Sequence, residues 1–176
     1  MERGDAIVLI GFMGSGKSSV GRELAARTGL PCYDTDEMVA NRYGLPIAQI
    51  FARFGEDDFR AAEMEALTQL PASAAIIVTG GGVVLRAENV ATLRRLGIVI
   101  HLLADEETLF TRVSRRKTRP LLQTKNPRTT LSELLQVRVP HYQAAADRTV
   151  DTSALRHAEV AELVLQHLAE LRAHVG

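Results

Sequence analysis

The chain has 176 residues and a mass of 19.2 kDa; it is 46% hydrophobic and 24% charged, with 21 basic side chains against 21 acidic ones. These values fit one globular domain that buries roughly 70% of the surface its unfolded chain exposes, and they exclude wholesale disorder. Neutrality gives no reason to expect nucleic acid as a partner, no apolar run approaches the ~20 residues that cross a bilayer, and the charged start (Glu2, Arg3, Asp5) is unlike a secretory signal. We therefore expect a cytoplasmic protein whose partners are neither nucleic acid nor membrane, with Cys32 as its single cysteine and no internal disulfide.

In chain order, Ala6 to Ile10 has strand length and runs directly into glycines. Lys17 to Thr28 follows as a helix with Val20, Leu24 and Ala25 on one face and Gly29 as its stop. Pro31 introduces a short strand, Cys32 to Asp34, in which Cys32 is expected to be a small core residue. Ile47, Ile50, Phe51 and Phe54 form a helical stripe after Pro46 that ends at Gly55, and a longer helix is expected from Glu56 to Leu70. Ala75 to Thr79 reads as a buried strand ending in Gly80-Gly81-Gly82, and Ile98 to Leu103 as another, after a helix closed by Gly97. The spacing in Thr130-Leu131-Ser132-Glu133 predicts the start of a helix there. Thr149 to Asp151 is a last short strand before a helix whose stripe, Val160, Val164, Leu168 and Leu171, is core packing. Strands alternating with helices indicate a parallel sheet covered on both faces. No repeat and no linker divides the chain.

Gly11-Phe12-Met13-Gly14-Ser15-Gly16-Lys17-Ser18 matches the G-x-x-x-x-G-K-[ST] pattern between a predicted strand and a predicted helix. Glycines there let successive backbone N–H groups turn in around phosphate oxygens, and the helix N-terminus adds its positive dipole end. Lys17 would reach the β- and γ-phosphates, while the Ser18 hydroxyl would help to hold Mg²⁺. The bland alternative is a glycine-rich turn with an exposed lysine.

The phosphate acceptor has to come from other residues. Asp34-Thr35-Asp36 closes the second strand, at the sheet edge where open α/β folds bind ligands. One carboxylate could orient a metal's hydration shell while the other takes a proton from an attacking hydroxyl; equally, one could merely cap the next helix. Arg60 offers a rigid fork for a carboxylate, or it simply pairs with Glu56 or Glu63 along the helix. Gly80-Gly81-Gly82 permits close approach by a ligand, or is only a tight turn.

In their order and spacing, the P-loop, Asp34-Thr35-Asp36, Ile50-Phe51 with Gly55-Glu56 and Phe59-Arg60, Gly80-Gly81-Gly82 and Arg119-Pro120-Leu121-Leu122 resemble the shikimate kinase family over nearly the whole chain. The resemblance implies a three-layer α/β P-loop kinase fold with a five-stranded parallel sheet, as one domain over residues 1–176. It places a substrate-binding region at about 34–63 and a lid at about 112–128. It further implies transfer of the γ-phosphoryl of ATP to the 3-hydroxyl of shikimate, on the route to chorismate and the aromatic amino acids, by a monomer that uses Mg²⁺. Asp36, Lys17 and Arg119 would be catalytic, with Asp36 as the base, and Asp36, Arg60, Gly81, Gly82 and Arg138 would bind the acid. Gly14, Ser15, Gly16, Lys17, Ser18, Ser19, Arg112, Arg119 and Arg156 would hold ATP. Ser18, and Asp34 through water, would hold the metal, and Glu63 would support an arginine.

Three places depart from the family pattern: Val139 and His141 around Pro140 next to Arg138, the register of Arg156 after Asp151, and Thr79 where an acidic residue commonly ends the strand. A gluconate kinase-like enzyme, or a ligand-sensing module without catalysis, would be the alternative to shikimate kinase. The five histidines show no metal-ligand constellation and are expected to be packing or solvated residues. Neutrality is uneven: between Glu107 and Glu133 there are only basic charges, namely Arg112, Arg115, Arg116, Lys117, Arg119, Lys125 and Arg128. Opposite a phosphate cradle, such a run suits a cationic lid.

Overall fold

Every residue of β1 (Ala6–Ile10) is buried, which is why the strand is an unbroken apolar run rather than an alternation. It is the middle of a five-stranded sheet in a computed structural model that describes residues 4–71, 73–115 and 124–173. The other strands are β2 (Cys32–Asp34), β3 (Ile76–Val78), β4 (Gly97–Leu103) and β5 (Arg148–Asp151). All pairs are parallel in the order β2-β3-β1-β4-β5, with Ile7 opposite both Ile76 and Ile98. The helices are α1 (Lys17–Thr28), α2 (Thr35–Tyr43), α3 (Ile47–Thr68), α4 (Ala87–Leu96), α5 (Glu106–Ser114), α6 (Pro127–Ala145) and α7 (His157–Ala173).

The two faces of β1 feed two cores. Ala6, Val8 and Ile10 join Leu67, Leu93, Leu96, Leu131 and Tyr142 on one side; Ile7 and Leu9 join Val20, Leu24, Val160, Val164 and Leu168 on the other. Truncating a wholly buried leucine such as Leu9 should cost about 2–5 kcal/mol. A third cluster, Val39, Ile50, Phe59, Ala62 and Ala66, locks α2 onto α3. Gly55 interrupts α3 with φ 84°, a left-handed conformation that glycine takes without strain, so the two helical segments expected on either side of it are joined at a kink.

Three local expectations are corrected. The helix expected to open at Thr130 starts three residues earlier at Pro127, a preferred first-turn residue; Thr130 sits inside it and its hydroxyl donates to Asn126 O instead of capping. Cys32 is exposed rather than core, because β2 is an edge strand and the side chain of its first residue, beside Gly21 of α1, stays open to solvent. Phe54 is 45% exposed and leans on Tyr43, so the stripe after Pro46 is buried only in part. Because all strands run the same way, the ends of β1, β2 and β3 deliver residues 11–18, 34–36 and 79–82 to one edge of the sheet.

Candidate active site

After β1 the chain wraps into a cradle. Gly14 and Gly16 have φ of 85° and 94°, a region closed to most side chains, and Gly16 precedes α1 with no side chain covering the helix's first N–H groups. Ser15 is buried and its Oγ has no hydrogen-bond partner among the described residues, a group with capacity for a ligand. Lys17 Nζ, also buried, donates to Gly11 O at 2.8 Å and Phe12 O at 3.0 Å, so its charge is held at the mouth of the loop. A cavity of about 510 Å³ opens here.

Of the residues expected at a nucleotide, Gly14, Gly16, Lys17, Ser18, Ser19, Arg112 and Arg156 line that cavity. Arg112 is braced by its Nη2 donating to Thr152 O at 2.7 Å and Nη1 donating to Thr152 Oγ1 at 3.1 Å, while Thr152 Oγ1 donates to Ser15 O at 3.2 Å. The loop between β5 and α7 is thereby tied to the cradle. Arg156 reaches out from that loop, paired with Glu159 at 2.9 Å. Arg115, from the basic run expected to face the cradle, lines the cavity at the end of α5 beside Val113; Leu155 and His157 line it as well and carry no local motif, since packing of α7 on α1 brings them in. Arg119 lies outside the described residues, with the rest of 116–123.

A second pocket gathers Asp36, Arg60, Glu63, Gly81, Gly82 and Arg138 from α2, α3, the β3 loop and α6. Its apolar wall, Met13, Ile47, Phe51 and Phe59, was not assigned a role from sequence, although Phe51 and Phe59 belong to the motif. Arg60 is buried, with Nη1 donating to Glu63 at 2.9 Å and Nη2 to Glu56 at 3.0 Å. Burial works against its charge, but Glu63 and Glu56 more than offset that and hold its pKa above the usual value. Both sequence options for Arg60 thus coexist: the helix pairing aims the guanidinium into the pocket. A Cβ at Gly82 would displace that guanidinium from its present place.

Glu63 is wholly buried and its Oε1 is unpartnered. Burial raises its pKa, the Arg60 charge opposes that, and Asp36 adds to the rise. Asp36 Oδ1 and Glu63 Oε1 converge on Gly80, at 2.5 and 2.6 Å from where a Cβ would stand. Arg138 is buried, lying 5.7 Å above the Phe12 ring, whereas His141 is exposed and Val139 half-buried, and neither of these two departures from the family pattern lines the pocket. Thr79, a further departure, is buried just past β3 and its hydroxyl donates to Leu9 O at 2.9 Å, a structural bond to β1.

Asp34 joins the two regions. Its Oδ2 accepts from the Ser18 hydroxyl at 3.0 Å, and its Oδ1 accepts from Asp36 N at 3.0 Å and Glu37 N at 3.4 Å. The capping role and the contact to the cradle are therefore both present. No group of three or more metal-ligating side chains of the histidine, cysteine and carboxylate type occurs among the described residues, and none of their helices is long and apolar enough to cross a membrane.

A family model described as shikimate kinase matches residues 13–169. A shikimate kinase of Thermodesulfovibrio yellowstonii is 43% identical over 166 residues, covering 94% of this chain and 95% of the relative. Among solved structures, shikimate kinase from Acinetobacter baumannii in complex with shikimate superposes with a TM-score of 0.91 at 36% identity, over 94% of this chain and 93% of that one. A gluconokinase from Sinorhizobium meliloti shares the fold alone, at TM-score 0.65 and 23% identity over 99% and 97% of the two chains.

Proposed function

The chain belongs to the shikimate kinase family, and from that premise we propose that it transfers the γ-phosphoryl group of ATP to the 3-hydroxyl of shikimate. The observation that carries this is the adjacency of the two cavities: Asp34 touches Ser18 of the cradle and fixes the backbone of Asp36 in the arginine pocket. Shikimate is a carboxylate on a ring bearing hydroxyls. Arg60 and Arg138 supply a cationic grip for the carboxylate, Asp36 an acceptor for the hydroxyls, and Gly81 and Gly82 the room for close approach.

In the transfer, Lys17, Ser15 and the amides of Gly14, Gly16, Ser18 and Ser19 hold the phosphates. Arg112 and Arg156 lie along the nucleotide, and Arg119 closes on the phosphates from a lid at about 112–128. The shikimate hydroxyl oxygen attacks the γ-phosphorus, its proton passes to Asp36, and the bond to the β-phosphate oxygen breaks to release ADP. Glu63 keeps the Arg60 fork aimed. The Ser18 hydroxyl and the Asp34 carboxylate form an all-oxygen donor pair that suits Mg²⁺, which when bound neutralises phosphate charge. The reading includes a monomer, supported by both cavities being lined from one chain, and a cytoplasmic location, supported by the use of ATP.

The test is ADP release with shikimate or gluconate offered separately. Turnover with shikimate is expected; turnover with gluconate alone, or with neither acid, would overturn the assignment. A sensing module without catalysis would bind shikimate and release no ADP.

A further inference from the structure

Tyr142 follows Arg138 in α6, yet none of the roles above uses it. It is wholly buried, and one turn of α6 beyond Arg138, so the two side chains share a helix face. Its hydroxyl donates to Gly81 O. The Gly81 peptide lines the acid pocket next to the backbone of the cradle loop. From the position of a Gly81 Cβ, Met13 N lies at 3.5 Å and Gly11 O at 3.6 Å on the cradle side, and Arg138 Nη1 at 3.6 Å on the pocket side. Behind Tyr142, its ring stacks on His101 of β4 at 5.0 Å and 21°, and His101 pairs with Ile10, the last residue before the cradle. Phenylalanine would fill the same core space, so the hydroxyl is the part of this side chain that core packing does not explain.

We propose that Tyr142 is a positioning residue for binding of the acid: its hydroxyl holds the Gly81 carbonyl and thereby sets the peptide that lines the acid's seat. With the carbonyl anchored, Gly81 cannot rotate toward Arg138, and the seat keeps its shape beside that guanidinium. The same phenol oxygen lies in the field of Arg138, Arg60 and Glu63, so the bond also ties the loop to the charged end of the pocket. This rests on shikimate being the acceptor.

The experiment is steady-state kinetics of Tyr142→Phe with both substrates varied, together with thermal unfolding. Losing a buried hydrogen bond that shapes only the acid's seat should raise KM for shikimate about tenfold, with kcat and KM for ATP within about twofold. His101→Phe, which keeps a ring under Tyr142, should leave KM for shikimate within about twofold. A Tyr142→Phe protein with a lower Tm and unaltered kinetic constants would make the bond merely structural and overturn the proposal. So would parallel changes in kcat and both KM values, or an equal KM effect in His101→Phe. If the parent protein itself shows no shikimate-dependent turnover, the substrate assignment fails first and takes this proposal with it.

Discussion

Asp34 accepts the Ser18 hydroxyl with one carboxylate oxygen and the first amides of α2 with the other. The residue that caps α2, which carries Asp36 into the second pocket, is thus the residue that touches the glycine-rich cradle, and a shift of either region is felt by the other.

The two duties of Asp34 can be separated. Asp34→Asn retains an oxygen for the α2 amides but loses the charge, so unfolding should stay near that of the parent while turnover falls and more Mg²⁺ is needed to reach half-maximal rate. Asp34→Ala should lose about 1 kcal/mol of stability besides, through the lost cap. Thermal unfolding and a Mg²⁺ titration of ADP release distinguish them; an unchanged Mg²⁺ requirement in Asp34→Asn would remove Asp34 from the metal site.

Arg60 and Glu63 should prove strongly coupled. Arg60→Ala leaves a buried carboxylate without its cation, at a cost of about 3–5 kcal/mol, and removes half of the grip on the acid. Adding Glu63→Gln removes the stranded charge, so the double variant should be less destabilised than the sum of the single changes. Urea unfolding of the four proteins measures this, and additivity within error would mean that the pair carries no special interaction.

His101 makes stability depend on pH. Burial, with the Lys17 charge adding to it, lowers its pKa to about 4, whereas the imidazole of an unfolded chain titrates near ~6.5. Between those values the unfolded chain binds the extra proton, so stability falls as pH drops through the window, by on the order of 3 kcal/mol in all, and no further below it. His101→Phe should lack this part of the slope. Equal slopes for the two proteins in urea unfolding between pH 4 and 6.5 would contradict it.

What the sequence revealed was local. The cradle could be read because strand, glycines, lysine and helix lie within one short stretch, and Asp34 with Asp36 because a strand end is a local event. The pocket's contents were legible through the family's motif order, not through any residue's own environment: Arg60 alone looks like an ordinary helix pair until Phe59 and Gly82 enclose it. Leu155 and His157 reached the nucleotide cavity through the docking of α7 beside α1, a contact between distant segments. Cys32 looked apolar and buried because a short strand does not announce that it is an edge. His101 seemed unremarkable until Tyr142, from another element, covered it.

The central claim is that Asp36 takes the proton from the hydroxyl that receives the phosphoryl group, and Asp36→Asn tests it most directly. The side chain keeps its shape and loses its basicity, so phosphoryl transfer measured in a single turnover should fall roughly 10²–10⁴-fold while ATP affinity stays near that of the parent protein. Near-normal transfer by Asp36→Asn would contradict the account.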